Sequence, residues 1–200
     1  MTGTIAGRAE RRAKEKSATR ALILDAARKV AARDGARDMS LRGVAAEAGF
    51  APAALYGYFS GKDELLLALA AEDLSGVARA MRLAAQDSKA EGSLAAASGL
   101  VLSFLRNAET MAAASAALPS VSGTSDAERL FNGRLIQVLT ALSDATGQKA
   151  DSRAQQGDVV VLAAALTGLA MMARAGRLDA LGFTTAELLA RLEARFAKTV

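Results

Sequence analysis

The sequence predicts an all-α protein, and three observations carry that prediction. Alanine, the strongest helix former and a poor strand residue, fills 49 of the 200 positions. Proline, the strongest helix breaker, occurs only at Pro52 and Pro119. No window shows the sustained period-two alternation of β-branched and aromatic residues that marks a strand. The chain is 52% hydrophobic and 23% charged, the composition of a packed protein rather than a disordered one. Its length suits one ordinary domain, or a small domain fused to a medium one.

The elements follow in order. Leu22, Ile23, Ala26, Ala27 and Val30 fall on one helical face, predicting a first helix from about Ala18 to Arg33 that Asp34-Gly35 stops. Ser40 is a good N-cap for a second helix, with Met39 placed to staple onto Val44, and Ala48-Gly49 closes it. Gly49, Phe50 and Ala51 separate it from a third helix over 52–59, whose first turn accommodates Pro52. Ser60-Gly61 breaks the chain again. A fourth, amphipathic helix then runs from Lys62 to about Gln86, burying Leu65, Leu66, Leu69, Leu74, Val77 and Met81. Later helices are expected at about 92–106, 109–117, 125–146, 152–175 and 184–198. Pro119, Ser120, Ser122, Gly123 and Thr124 mark a loop, and Gly147 marks another break.

Charge is uneven along the chain. Residues 1–62 hold 12 Lys/Arg against 6 Asp/Glu, a net of +6; the rest holds 13 against 15, a net of −2, which together give the overall +4. A basic head on a slightly acidic body points the head toward a polyanion. Arg8, Arg11, Arg12, Lys14, Lys16 and Arg20 crowd the start, opposed by Glu10 and Glu15. Such a segment is either a solvated tail or an arm that touches phosphates or enters a minor groove.

The chain has no Cys and no His. A Cys/His zinc site, a thiol nucleophile, a Ser-His-Asp relay and disulfides are therefore excluded. No cofactor, catalytic residue or metal site is expected. The start of the chain lacks a secretory apolar core, so the expected address is the cytoplasm, at the nucleoid when bound to DNA. Residues 159–173 carry no charge, but a membrane span needs about 20 such residues, so no membrane partner is expected.

Two short helices joined by a tight Gly-containing turn have helix-turn-helix spacing, although any αα-corner shares it. The small residues Ala45, Ala48, Gly49, Ala53 and Ala54 allow the two helices to cross steeply. The flanks add Thr19-Arg20, Ile23-Leu24, Ala26-Ala27, Gly35, Ser40-Leu41-Arg42 and Val44-Ala45. Leu55-Tyr56, Tyr58-Phe59 and Lys62-Asp63-Glu64-Leu65 complete the set. From Thr19 to Leu66 this ensemble resembles the TetR family of bacterial transcriptional regulators.

The resemblance implies a basic N-terminal arm over 1–17, a three-helix DNA-binding domain over 18–63, and a helical ligand-binding and dimerisation domain over 64–200. Arg42 stands where the family often contacts a base, and an Arg there can pair with guanine O6 and N7. Tyr56 and Lys62 match the family's phosphate-contacting tyrosine and lysine. The whole implied DNA surface is Arg20, Ser40, Arg42, Pro52, Ala53, Ala54, Tyr56, Gly57, Tyr58 and Lys62, with Leu55 and Phe59 as core. The chain departs from the family at Ala51, where Ser or Thr usually caps the third helix, and Ala53, Ala54 and Gly57 replace larger or polar residues. Sequence discrimination should accordingly be modest and salt dependence steep.

In the body, Phe104, Met111, Phe131, Leu135, Val138 and Met171 are the apolar pocket candidates, with Arg106, Asn107 and Gln137 as polar ones. The uncharged helix needs covering on every side, and Ala164 and Gly168 allow close approach. The last helix has Thr184 and Glu187 at capping-box spacing and places Leu188, Leu189, Leu192 and Phe196 on one face. A homodimer interface is therefore expected through Leu162, Ala164, Gly168, Met172, Leu188, Leu192 and Phe196, the last two helices of each subunit forming a four-helix bundle. The reading that results is a repressor binding a palindromic double-stranded operator as a homodimer and released by a small-molecule effector of unknown identity. The alternatives are a helical interaction or adaptor protein and a helical enzyme; for the enzyme the sequence offers no phosphate-binding Gly loop and no Glu-x-x-His pair.

Overall fold

The computed structural model describes residues 3–87, 93–107, 110–111, 113–114, 125–147 and 152–196, and among these there is helix and turn but no strand. The first helix, α1, runs Gly3–Asp34. Its inner face carries Ile23, Leu24, Ala26, Ala27 and Val30, all buried, as the periodicity predicts. It starts some fifteen residues earlier than the apolar pattern indicates. Ala, Arg, Lys and Glu are all strong helix formers, so the basic segment continues the helix although it buries nothing. Gly7 to Ala18 are exposed throughout.

Two compact units divide the chain: Met1–Ala70 with Glu109–Arg129, and Ala71–Ala108 with Leu130–Val200. In the first, α1 packs on α2 (Leu41–Ala48), which packs on α3 (Pro52–Leu55). Ala36, Met39, Val44, Ala45, Leu55 and Phe59 are buried with them. Helix α4, Lys62–Asp87, begins in this unit and continues into the second. It has no internal proline, so the boundary expected near residue 63 falls within an unbroken helix. Leu65 to Ala71 are buried on every side, after which burial narrows to Leu74, Ala78 and Met81, with Val77 half-buried.

The second unit contains α5 (Ser93–Asn107), α6 (Asp126–Ala145, whose first turn belongs to the first unit), α7 (Arg153–Arg174), α8 (Arg177–Ala180) and α9 (Thr185–Phe196). Helix α7 is central: it packs on α5, α8 and α9, and α9 also packs on α5. Leu102, Leu169, Ala170 and Leu178 form a core against which Leu105, Ala173, Leu188 and Leu192 pack. Ser152 caps α7 in a capping box with Gln155. The short α8 has no counterpart in the sequence prediction. Gly176 and Gly182, both left-handed (φ 63° and 75°), bracket it, and Leu178 anchors it in the core. The helix expected over 109–117 is described only at 110–111 and 113–114, which are helical, while Pro119, Ser120, Ser122, Gly123 and Thr124 lie outside the described residues.

By length and composition α7 could also cross a membrane. In this fold its inner residues Val159, Leu162, Leu166, Leu169 and Ala170 are buried among helices of its own chain. Its outer strip of Val160, Val161, Ala164, Met171 and Met172 is exposed.

Candidate nucleic-acid interface

The two-helix corner is held by local chemistry at each joint. Ser40 is extended, and its Oγ accepts a hydrogen bond from the Gly43 amide (3.1 Å), satisfying one of the free donors at the start of α2. Met39 and Val44, flanking that cap, are both buried. At the other end Gly49 adopts the left-handed conformation (φ 73°). The Gly49 amide donates to the Ala46 carbonyl (3.3 Å) and the Phe50 amide to the Ala45 carbonyl (2.9 Å). This double closure reverses the chain in three residues and needs a residue that tolerates positive φ.

Pro52 then opens α3. As the alanine at position 51 implies, this helix has no side-chain cap. It is shorter than the span 52–59 expected from sequence. The Gly57 and Tyr58 amides donate to carbonyls three residues back, at Ala54 (3.2 Å) and Leu55 (2.9 Å), so the helix tightens and ends. Gly57 has little room: a Cβ there would lie 3.3 Å from the Ala54 carbonyl oxygen.

The resulting surface is polarised. Leu55 and Phe59 are buried; Pro52, Ala53, Ala54, Tyr56 and Gly57 are exposed and Tyr58 is half-buried. Tyr56, 62% exposed, is one of only two large apolar or aromatic side chains among the described residues of the first unit that stand out this far. Arg42 is exposed on α2. The Arg20 guanidinium sits 5.0 Å from the centre of the Phe59 ring, a cation–π contact that fixes it beside the end of α3. The Lys62 ammonium donates to the Arg37 carbonyl, so the lysine matched to phosphate contact also ties the α1–α2 loop to the start of α4. There Glu64 accepts from both the amide (2.7 Å) and the hydroxyl (2.6 Å) of Ser60, placing a negative charge at the helix N-terminus.

Sequence reasoning does not find the tie between α1 and α2. Arg33 donates to Glu47 (3.2 Å) and also to Asp34 (2.8 Å). These carboxylates hold the guanidinium firmly protonated, and Arg33 in turn holds Asp34 below its ordinary range. Arg33 and Glu47 stand 14 residues apart, and no periodic signal links them. Nearer the middle of α1, Lys29 pairs with Asp25 (3.0 Å), which raises the lysine above its usual value. Among the described residues no cluster of three metal-ligating side chains occurs.

The other predicted sites are dispersed. Phe131 and Val138 are buried, Phe104 and Met111 half-buried, but Leu135 and Met171 are on the surface. Arg106 is exposed; so is Gln137, which accepts from Arg134 (3.0 Å), and the Asn107 side chain lies outside the described residues. Three grooves open in the second unit among the described residues and are lined by none of these candidates. The largest of the three, about 920 Å³ between α6 and α7, is bordered by Ile136, Leu139, Thr140, Arg153, Gln156 and Val160 among others. Met171 falls on the outer strip of α7 because it is about 180° around the helix from the buried Leu162. The same geometry corrects the interface expectation at Leu162, which is wholly buried within one chain and belongs to its core. Ala164 and Met172 are exposed and Gly168 half-buried; Leu188, Leu192 and Phe196 are half-buried on α9. Gly168, Met172, Leu188 and Leu192 line a shared apolar groove of about 800 Å³ rimmed by Arg191 and Arg195.

The family model for bacterial regulatory proteins of the tetR family matches residues 23–69, the segment that contains the corner. The matched segment is thus similar to the DNA-binding part of that family. Within it, the capped corner of α2 and α3 has the helix-turn-helix arrangement. No curated protein sequence matches the chain. Among solved structures it is similar to a TetR-family transcriptional regulator from Streptomyces coelicolor, at 21% identity and TM-score 0.63, covering 91% of this chain and 97% of that one. A tetR-family regulatory protein from Rhodococcus RHA1 matches at 19% identity and TM-score 0.59, over 91% and 98%. The fatty acid degradation regulator FadR from Bacillus halodurans matches at 17% and 0.59, over 90% and 98%. At such identities the likeness is one of fold, and it extends over the second unit of this chain.

Proposed function

We propose that this chain is a TetR-family regulator, a repressor that binds a palindromic operator as a homodimer and is released by a small molecule bound in the second unit. The observation that carries the reading is the capped corner, whose exposed side projects Pro52, Ala53, Ala54, Tyr56 and Gly57 beside Arg42. Arg42 is the one side chain among these able to make a bidentate base contact; Tyr56, Ser40 and Lys62 supply phosphate contacts, and Ala53 and Ala54 offer methyl groups to thymine. Tyr58 and Arg20 border the same surface.

One corner reads few base pairs, so two heads in register on successive major grooves, about 34–36 Å apart, are needed for useful affinity. The apolar strip of Val160, Val161, Ala164, Met171 and Met172, next to the groove shared with α9, supports pairing through α7 and α9. An effector acts by favouring a dimer whose heads are wrongly spaced. Helix α4 is common to both units, so a shift in its second half is carried into its first.

Gel-shift titration on the DNA adjoining the protein's own gene tests the reading, with sedimentation velocity for the dimer. Retarded DNA together with a two-chain sedimenting species is expected; a monomer at micromolar concentration that retards nothing would reject it. A thermal-shift screen against small apolar compounds tests the effector, since a ligand of the native state raises apparent stability.

A further inference from the structure

The face of α1 that builds the head's core changes character at Arg20. At about 100° per residue, Ile23, Ala26, Ala27 and Val30 lie within one sector of roughly 120°. Extended toward the N-terminus, that sector contains Arg8, Arg12, Lys16 and Arg20, each four residues from the next. Lys14 and Glu10 fall on the opposite side, Arg11 lies off the row, and Glu15 flanks its edge. The helix is continuous through this stretch, and residues 7–18 are exposed. Its inner face is therefore apolar inside the head and cationic where it leaves it.

We infer that this row is a second DNA contact, a helical rail that grips backbone phosphates beyond the base pairs met by α3. The inference rests on the DNA-binding reading above and adds a surface to it. Arg20 locates the rail, because its guanidinium lies on Phe59, at the end of the turn that presents Tyr56. From Arg20 to Arg8 the row extends about 18 Å, with a cation every 6 Å or so. Charge complementarity selects a polyanion of regular spacing, and continuity with the corner selects the DNA already bound there. A helix about 10–12 Å across with its side chains does not enter a minor groove about 6 Å wide. The contact is thus to phosphates, not base edges, which replaces the groove-inserting arm as the role of this segment. It also compensates for a reading helix with few donors: sequence-independent grip is moved onto α1.

Two charge-matched variants of the full chain decide the matter. R12A/K16A removes two cations from the row, while R11A/K14A removes two from outside it. Alanine raises helix propensity at all four sites, so both variants stay helical, which circular dichroism checks. Binding to a duplex of about 40 base pairs, roughly four helical turns, is followed by anisotropy across a salt series. The row variant is expected to lower the slope of log K against log salt by about 2, close to 0.9 for each lost phosphate contact. The off-row variant should change it by less than half as much. Equal slopes for the two variants would overturn the rail while leaving DNA binding intact, since a diffuse charge cloud then suffices. Row-dependent binding to anionic lipid vesicles with no effect on the duplex would also overturn it. Failure of the unmodified protein to bind any duplex would remove the reading beneath it.

Discussion

The two units differ in how completely one chain covers its own apolar surface. In the first, only Leu22 and Tyr56 stand exposed among the large hydrophobic residues described. In the second, Leu83, Leu135, Ile136, Val160, Val161, Met171, Met172, Leu181 and Phe183 do. Among the described residues the head's apolar surface is nearly finished within one protomer, and its single exposed aromatic, Tyr56, stands on the outer side of the corner. The body is left open along α6 and α7, and α9 buries no residue fully. The head can be self-sufficient because the short helices α2 and α3 are closed by local hydrogen bonds and pack against the one apolar face of α1, whereas the body's helices present more apolar surface than their own neighbours cover. The difference accords with the proposed reading, in which DNA meets the finished unit and a second copy covers the unfinished one.

The largest effect that would break this contrast is in the head's core. Phe59→Ala removes a buried ring that packs the corner and seats Arg20; a loss of about 3–5 kcal/mol in denaturant unfolding is expected, with DNA binding abolished. In the body, Leu162→Ala should cost about 2–5 kcal/mol as a core truncation, whereas its exposed neighbour Val161→Ala should stay within about 0.5 kcal/mol. A matched cost at both positions would erase the distinction between the inner and outer faces of α7. Charging the outer strip, V161E with M171E, should shift sedimentation toward monomer without lowering the head's helicity, and an unchanged dimer would place the interface elsewhere.

Smaller changes sharpen the comparison at the caps. Ser40→Ala loses a cap worth about 1 kcal/mol, while Ala51→Ser supplies the missing one at α3 and should raise both melting temperature and DNA affinity slightly. The smallest effect is at α9. The Thr184 amide and hydroxyl donate to the Glu187 carboxylate (2.8 and 2.7 Å) and hold it below its ordinary value of 4.5. A carboxylate depressed in the folded state contributes stability that is present above its unfolded value and is lost as pH falls through the folded one. Helicity followed from pH 7 downward should therefore weaken at α9 in that acid window, and Glu187→Gln should lose the dependence.

The corner was almost wholly legible from residue type. Ser40, Gly49 and Pro52 each have a conformational preference so local that cap, turn and restart follow without tertiary information, and the 3.6-residue spacing of Ile23, Ala27 and Val30 states which way α1 faces. Alanine content and the lack of strand alternation determined the fold class in the same manner. Tertiary structure alone decided the rest. The basic segment's helicity comes from propensity that an apolar-pattern reading passes over, since a helix that buries nothing leaves no hydrophobic trace. The side of α7 that belongs to the core had to be chosen by packing, because a helix apolar all round has no moment to orient it; hence Leu162 went inward and Met171 outward. The Arg33–Glu47 and Lys62–Arg37 ties, and α8 between its two glycines, depend on which parts of the chain meet. Local free energies are written in each residue, but contacts between distant residues exist only once the chain has folded.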